Sequence, residues 1–494
     1  MSCTTILAGK KATFDGSVMF ARNDDSGAGS FTAKKFTILK PEDRPQVYTS
    51  VLSHVSIPLP EKALRCTITP NAVDGNGIWA ACGVNEKNVG MSATETIAVN
   101  DRVLGADPLV EYIPAADGQE EKAGGIGEED IVLLVLPYVS TAREGVLRLG
   151  KLLEEYGTYE MNGIAIGDQD EIWWLETIGG HHWMAKRVPD DRYVVMPNQL
   201  GIDEFDFTDA EGEKKEHLCS ADLRKWMNRY HLNLAMDGKD DVINPRDCFG
   251  THDDADHVYN TPRAWYMLRT LNPNTFVWDG PDADYTPVSD DLPWSLVPEK
   301  KLTPQDVKYV LSSHFQGTPY DPYLTYGDPS MKGAYRSIGI NRNDFMGYVR
   351  IRPDMPACVQ SLEYVAFASN AFNVMVPFYT NVSKTPDYLS NTTGEVSTDN
   401  FYWTSRLIAA LSDAGYRKCL NHIEHYETAV GSKSAAILNK YDELIPKAAD
   451  PEAMCEQANQ EMADMLREEA QKTLKHVLNE VSNLMKNQYA RSDA

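Results

Sequence analysis

An α+β fold with antiparallel sheets is predicted by three features of the chain. Short β-rich runs bounded by turn residues cluster early and late. Segments of helical period separate them. Neither GxGxxG nor GxxxxGK[ST] is present, so nothing argues for a parallel nucleotide-binding sheet.

The elements follow in order. Cys3–Ala8 and Ser17–Ala21 are β-rich and flank Gly9 to Gly16, which carries turn signals at both ends. A hairpin centred between those glycines sets Cys3 across from Arg22. Ile78–Cys82 and Gly90–Val99 are the next strands expected, either side of a turn over 83–88. Glu128–Ser140 and Ala142–Tyr156 read as helices; in the second, Val146, Leu147, Leu149, Leu152 and Leu153 recur at helical spacing. Met161–Asp168, Glu171–Thr177, His182–Arg187 and Tyr193–Pro197 suit an antiparallel meander. Residues 200–300 are irregular and rich in Asp, Pro and Gly. A second β-rich zone runs from Ser337 to Val376, and helices are expected over 402–427 and 450–488. Two regions result, 3–400 as the catalytic domain and 401–494 as a helical C-terminal extension that packs on it or on another subunit.

The composition narrows the function classes. The 494 residues carry a formal charge of −25, which repels phosphate backbones and argues against nucleic-acid binding. Met1 onward shows no basic region followed by an apolar one, and no apolar run is long enough to span a bilayer. A cytoplasmic location without membrane partners is therefore expected. The eight cysteines are scattered and form no CxxC pair, which suits separate thiols rather than a disulfide framework.

Cys3 is the candidate nucleophile. Ser2 is small, so Met1 is expected to be removed, and loss of Ser2 then frees the Cys3 α-amine. With a pKa of ~8 that amine is partly neutral and can take the thiol proton, so nucleophile and base share one residue. Arg22 beside it favours the thiolate, and Asp25 can hold the amine.

These residues carry a family resemblance. Cys3-Thr-Thr-Ile-Leu-Ala-Gly-Lys-Lys-Ala, Asp15-Gly-Ser and Ala21-Arg-Asn-Asp-Asp resemble the start of the C69 dipeptidases, the dipeptidase A group, which are similar to penicillin V acylases and bile-salt hydrolases. The Arg-x-x-Asp pattern falls on Arg22 and Asp25. Gly83-Val-Asn-Glu-Lys, Val195-Met-Pro-Asn198, Tyr259-Asn-Thr-Pro-Arg263, Ser313 to Asp321 and Tyr335 to Arg342 resemble further blocks, spanning residues 3 to about 350. The resemblance implies a four-layer αββα sandwich of the N-terminal-nucleophile type. It implies a thiol-dependent dipeptidase with no metal and no cofactor; autoprocessing is expected for Ser2, after ordinary removal of Met1, because the same thiol is placed to attack its own upstream carbonyl. By the same resemblance Asn198 serves the oxyanion hole, where one donor can be worth ~3 kcal/mol, and Arg263 is a second active-site arginine. It either fixes Cys3 and Asn198 or binds a substrate carboxylate.

Substrate contacts are assigned to Glu95, Thr96, His314 and Asp321. Glu95 is the carboxylate proposed for the substrate's free amine. The strand Met91–Ala98 lacks the tyrosine the acylases use, which counts against an acyl substrate. Three rivals stay open. One is an amidase acting on N-acyl amino acids. The second is a non-catalytic binding protein of the same fold. The third is a metal peptidase built on His252-Asp-Asp-Ala-Asp-His257, which fits no HExxH spacing. His181-His182 is weaker as a site, since neighbours on a strand point to opposite faces. Small peptides are the expected partners, and the acidic surface and helical tail are compatible with a homo-oligomer.

Overall fold

The computed structural model describes residues 3–487 except Asp117, and leaves the Thr94 side chain undescribed. In chain order the strands of the two main sheets are β1 (Thr4–Ala8), β2 (Val18–Asp25), β3 (Thr37–Leu39), β4 (Cys66–Ile68), β5 (Cys82–Asn85), β6 (Gly90–Thr96), β7 (Asn162–Gly167), β8 (Ile172–Ile178), β9 (His182–Arg187), β10 (Tyr193–Met196), β11 (His217–Cys219), β12 (Ser295–Leu296), β13 (Asn343–Ile351), β14 (Ser361–Phe367) and β15 (Val376–Tyr379). The principal helices are α1 (Glu128–Val135), α2 (Ala142–Tyr156), α3 (Thr261–Leu271), α4 (Pro304–Leu311), α5 (Phe401–Ala414), α6 (Tyr416–Leu444) and α7 (Pro451–Ser482).

One sheet has seven strands in the order β12-β10-β1-β2-β13-β14-β15; the other has eight, β11-β9-β8-β7-β6-β5-β4-β3. The pairs within them are antiparallel. β2 and β13 lie face to face with β5, β6 and β7. The approach is close: a Cβ on Gly90 or Gly167 runs into Phe20 of β2, and on Gly90 into Val349 of β13 as well. Helices α1 and α2 pack on the eight-stranded sheet, and α3, α4, α5 and α7 on the seven-stranded one. The apolar residues bury in two clusters, one beneath α1 and α2, the other filling the rest of the molecule and reaching Val477 of α7.

β1 and β2 are buried at every residue because each is flanked on both sides by strands and covered on both faces. β-Branched and apolar residues fill β1, as its position requires. No helix among the described residues is long and apolar enough to cross a membrane.

Several expectations need correction. The hairpin pairs Thr5, not Cys3, with Arg22. The connection is asymmetric, because the chain makes an extra turn at 9–12 in which Lys11 and Ala12 donate to the Asp190 carbonyl. The expected four-strand meander divides: β7, β8 and β9 stay together, but β10 joins β1 in the other sheet. Ile78–Ala81 is not a strand, since Trp79 (φ 48°) and Ala81 (φ 26°) take left-handed backbone conformations. The helix expected over 128–140 ends at Val135 and tightens into a 3₁₀ turn over 136–138, where Pro137 lacks the N–H a helix needs.

Candidate active site

Strand alternation sorts the residues around Cys3. Thr5 and Arg22 are register partners and share a face. Cys3 lies two residues before Thr5 on that face, diagonal to Arg22, a separation that a long side chain spans. Arg22 Nη2 lies 3.2 Å from Cys3 Sγ. The same nitrogen donates to Asp24 Oδ1 at 2.8 Å and to Glu128 Oε1 at 2.6 Å. Lys34 Nζ lies 2.8 Å from the other Asp24 oxygen. Arg22 Nη1 donates to the carbonyls of Ala93 and Ala81, which fixes the guanidinium against the opposite sheet. Cys3, Arg22, Asp24, Lys34 and Glu128 are all buried.

A second group holds the backbone of Cys3. Its N–H donates to Asn198 Oδ1 at 3.2 Å. Arg263, in the first turn of α3, donates Nη2 to Asn198 Oδ1 at 2.7 Å and to Asn260 Oδ1 at 2.9 Å. Its Nη1 donates to the Cys3 carbonyl and to Thr4 Oγ1, and its Nε to the Tyr259 carbonyl at 2.6 Å. The guanidinium is thus engaged by protein groups on each of its nitrogens. Asn198 Nδ2 donates to the Thr96 carbonyl at 2.8 Å, tying the end of β10 to the end of β6.

The electrostatics follow from burial. Desolvation pushes the Cys3 thiol far above its ordinary range; Arg22 opposes this, while Glu128, Glu95 and Asp24 add to it. Burial also acts to raise the Asp24 carboxyl, but Lys34 and Arg22 outweigh it and hold it below the usual range. The Glu128 carboxyl is raised, burial outweighing the pull of Arg22. Burial lifts Glu95 to about 8, against Arg263 and the Thr5 hydroxyl, which donates to Glu95 Oε2 at 2.8 Å.

Asp25 is not beside the Cys3 nitrogen in the described contacts. It faces the helical side of the sheet, where Arg336 and Asn343 hold its carboxylate. His314 and Asp321 pair with each other at 2.9 Å, and His314 Nε2 lies 3.3 Å from the Tyr416 hydroxyl of α6. Those contacts brace a loop against the C-terminal helices. His252 and His257 converge on Asp290 Oδ1, at 3.7 and 2.9 Å. His181 and His182 both reach Asp107, at 2.9 and 2.7 Å; His181 sits in the turn before β9, so strand alternation does not separate them. A cavity of about 530 Å³ between α4, β13–β15 and α6 is lined by Lys308, Arg350, Arg352 and Leu438, and contains none of the residues around Cys3.

Among the described residues one cluster has metal-ligand chemistry at close spacing: Cys3, Asp24 and Glu128, with ligand atoms within 4.8 Å of one another. Arg22 Nη2 bonds all three, so the place a cation fits is already filled by a guanidinium. Sequence reasoning missed Lys34 and Glu128. Glu128-Glu129-Asp130 opens a helix, where acids are common for capping reasons alone, and that masked its position.

Antiparallel sheets packed with helices, with a thiol just before the first strand set against a buried guanidinium, make up the frame of the site. Comparison with known families sharpens the picture. The model of peptidase family C69 matches residues 2–429, and the chain belongs to that family. It is 51% identical to a dipeptidase of Bifidobacterium longum (strain NCC 2705), across the whole of both chains. It is 50% identical to a probable dipeptidase A of Streptococcus pyogenes serotype M18 (strain MGAS8232), over 100% of this chain and 98% of that one. It is 40% identical to dipeptidase A of Lactobacillus helveticus, over 99% and 98%.

Proposed function

We propose that the chain is a cysteine-type dipeptidase whose nucleophile is Cys3 after removal of Met1 and Ser2, two residues outside those described. The observation that carries this reading is the Cys3 sulfur 3.2 Å from Arg22, with its nitrogen held by Asn198. Family membership and the printed names of the relatives support the substrate class. The packing of two sheets between helices supports an αββα sandwich of the N-terminal-nucleophile type. The division at 400/401 is proposed as an extension packed on a catalytic region.

Once Ser2 is gone, the nitrogen that now donates to Asn198 becomes an α-amine. It takes the thiol proton, and Arg22 stabilises the thiolate. The sulfur attacks the peptide carbonyl carbon. The Asn198 amide and neighbouring N–H groups stabilise the oxyanion. The C–N bond breaks as the α-ammonium returns its proton to the leaving amine, leaving a thioester. Water, deprotonated by the same amine, hydrolyses the thioester and regenerates the thiol. Arg263 positions Cys3 and Asn198, and Asp25 is assigned to holding β2 through Arg336. Glu95 and Thr96 line the substrate side, while His314 and Asp321 support the adjoining loop.

The test is intact mass and N-terminal sequencing of wild type and Cys3→Ala, both assayed on a dipeptide panel. Wild type beginning at Cys3 and active, with the variant unprocessed and inactive, is the expected outcome. Wild type that keeps Ser2 yet cleaves dipeptides overturns the α-amine mechanism. Unprocessed and inactive wild type favours a binding protein, and N-acyl amino acids turned over faster than dipeptides favour the amidase.

A further inference from the structure

Resting on the dipeptidase reading, we propose that Lys34 is a positioning residue for the reaction: by holding one oxygen of Asp24 it sets how much of the Arg22 guanidinium the Cys3 sulfur receives. A terminal guanidinium nitrogen carries a pair of N–H groups. Arg22 Nη2 has three acceptors around it, Cys3 Sγ at 3.2 Å, Asp24 Oδ1 at 2.8 Å and Glu128 Oε1 at 2.6 Å. The sulfur stands furthest off and competes with carboxylates for a limited supply of donors. Whatever weakens the claim of a carboxylate on Nη2 therefore strengthens the hold of Arg22 on a thiolate.

Lys34 does this for Asp24. Its Nζ lies 2.8 Å from Asp24 Oδ2, the oxygen that Arg22 does not bond. Lys34 and Arg22 hold the Asp24 carboxyl below its usual range against burial, and the amino terminus of the chain pulls the same way. Glu128 of α1, Asp344 of β13 and Tyr402 of α5 also lie in the field of Asp24. Asp344 has donors of its own: the Ser26 hydroxyl, the Thr32 N–H at 2.8 Å and Arg406 Nη2 at 3.4 Å. Among the described residues Lys34 is thus the ammonium in direct contact with Asp24.

The backbone is shaped to seat that ammonium. Lys34 is buried and bridges Asn71 on the neighbouring segment, and its Nζ donates to the Trp79 carbonyl at 3.2 Å. Trp79 takes a φ of 48°, a left-handed conformation that a residue with a Cβ keeps only where its surroundings enforce it. Further along, Ala81 has a φ of 26° in a tight turn closed by the Cys82 N–H on the Ala80 carbonyl, at 2.5 Å. The Ala81 carbonyl accepts from Arg22 Nη1 at 3.3 Å. One strained segment therefore turns a carbonyl to each of the side-chain cations that grip Asp24. Strain of this kind gathers where geometry is put to use, and here it fixes where the Lys34 ammonium stands.

The test reads Cys3 itself. The pH dependence of iodoacetamide labelling, and kcat and KM on one dipeptide, are compared in wild type, Lys34→Met, Lys34→Arg and the double variant Lys34→Met with Asp24→Asn. All are expressed without Ser2, so that removal of Met1 leaves each chain at Cys3 and the amino terminus is the same throughout. Lys34→Met is expected to move the labelling midpoint upward by roughly one pH unit. It should lower kcat by roughly 10- to 100-fold, the scale of a lost charged hydrogen bond, and leave KM little changed. Lys34→Arg keeps a cation on Asp24 and should hold kcat within about tenfold of wild type. The double variant leaves no carboxylate for Lys34 to restrain, and its midpoint should return to within about half a pH unit of wild type. It buries no unpaired charge from this pair, so it reads the proposal even where Lys34→Met alone does not fold. A Lys34→Met chain with a lowered melting temperature but the wild-type midpoint and kcat overturns the proposal, as does a double variant whose midpoint stays a full unit high. Failure of the dipeptidase reading shows separately, as dipeptide cleavage by Cys3→Ala.

Discussion

Arg22 is a guanidinium asked to serve a sulfur, two carboxylates and two carbonyls at once. Only a planar fork with several N–H groups can do that, so charge alone does not define its part. Arg22→Lys keeps the charge but cannot span these acceptors. We expect kcat/KM to fall by at least about 100-fold, the scale of ~3 kcal/mol for a lost charged contact. Because the charge of the guanidinium acts to lower the thiol pKa, the pH midpoint for iodoacetamide labelling of Cys3 should move upward in Arg22→Gln, which removes that charge. An unchanged midpoint contradicts an electrostatic role. At this scale much of the site was legible: Arg, Asn and two Asp at 22–25 interrupt a buried strand, and such violations of local pattern mark function. What a sequence conceals is which of two adjacent carboxylates faces the sulfur. Asp24 does and Asp25 does not, because alternation and the true register decide it.

The first turn of α1 carries Glu128, and a glycine governs it. A Cβ on Gly127 collides with the Tyr159 ring, whose hydroxyl holds Glu129. Gly127→Ala must displace that ring, and overpacking of this kind costs about 1–3 kcal/mol. We expect a lower denaturation midpoint together with a loss of dipeptidase activity greater than the unfolded fraction explains. A variant of wild-type stability and activity contradicts the packing argument. Helical period located α2 and, within a few residues at its start, α7, since long repeats of apolar residues carry their own signal, but α1 ends five residues before the expected Ser140 and the helix expected over 402–427 is two, α5 and an α6 that runs on to Leu444. Strand grouping was less legible. β10 looks like the fourth strand of a meander, but the choice of sheet depends on which edge accepts it, and β1 offers that edge from nearly two hundred residues away.

Across the whole molecule, burial of carboxylic acids between the sheets sets a pH dependence. Glu363 of β14 is fully buried and accepts from Thr67 and Thr69 of the facing sheet, at 2.6 and 3.5 Å. Burial raises its carboxyl from 4.5 to about 7, against the pull of the threonine hydroxyls. Between pH 4.5 and 7 the folded chain keeps a proton that the unfolded chain releases, so stability falls as pH rises through that window. The loss is on the order of 3 kcal/mol. Glu363→Gln removes this slope, and its melting temperature should drop less than that of wild type between pH 5 and 8. Parallel curves contradict the assignment. Composition could announce an acidic surface, but not that some acids lie where water does not reach.

The first strand has one more consequence, and it concerns synthesis. β1 is made well before β10, its neighbour in the sheet, and Cys3 is held by Asn198 and Arg263, 195 and 260 residues downstream. A nascent chain therefore carries an unassembled thiol until those downstream residues have been made. Contacts of such long sequence separation form late. Under the proposed mechanism the cell's peptides, and the growing chain itself, meet a working nucleophile only after the chain has been made as far as Arg263.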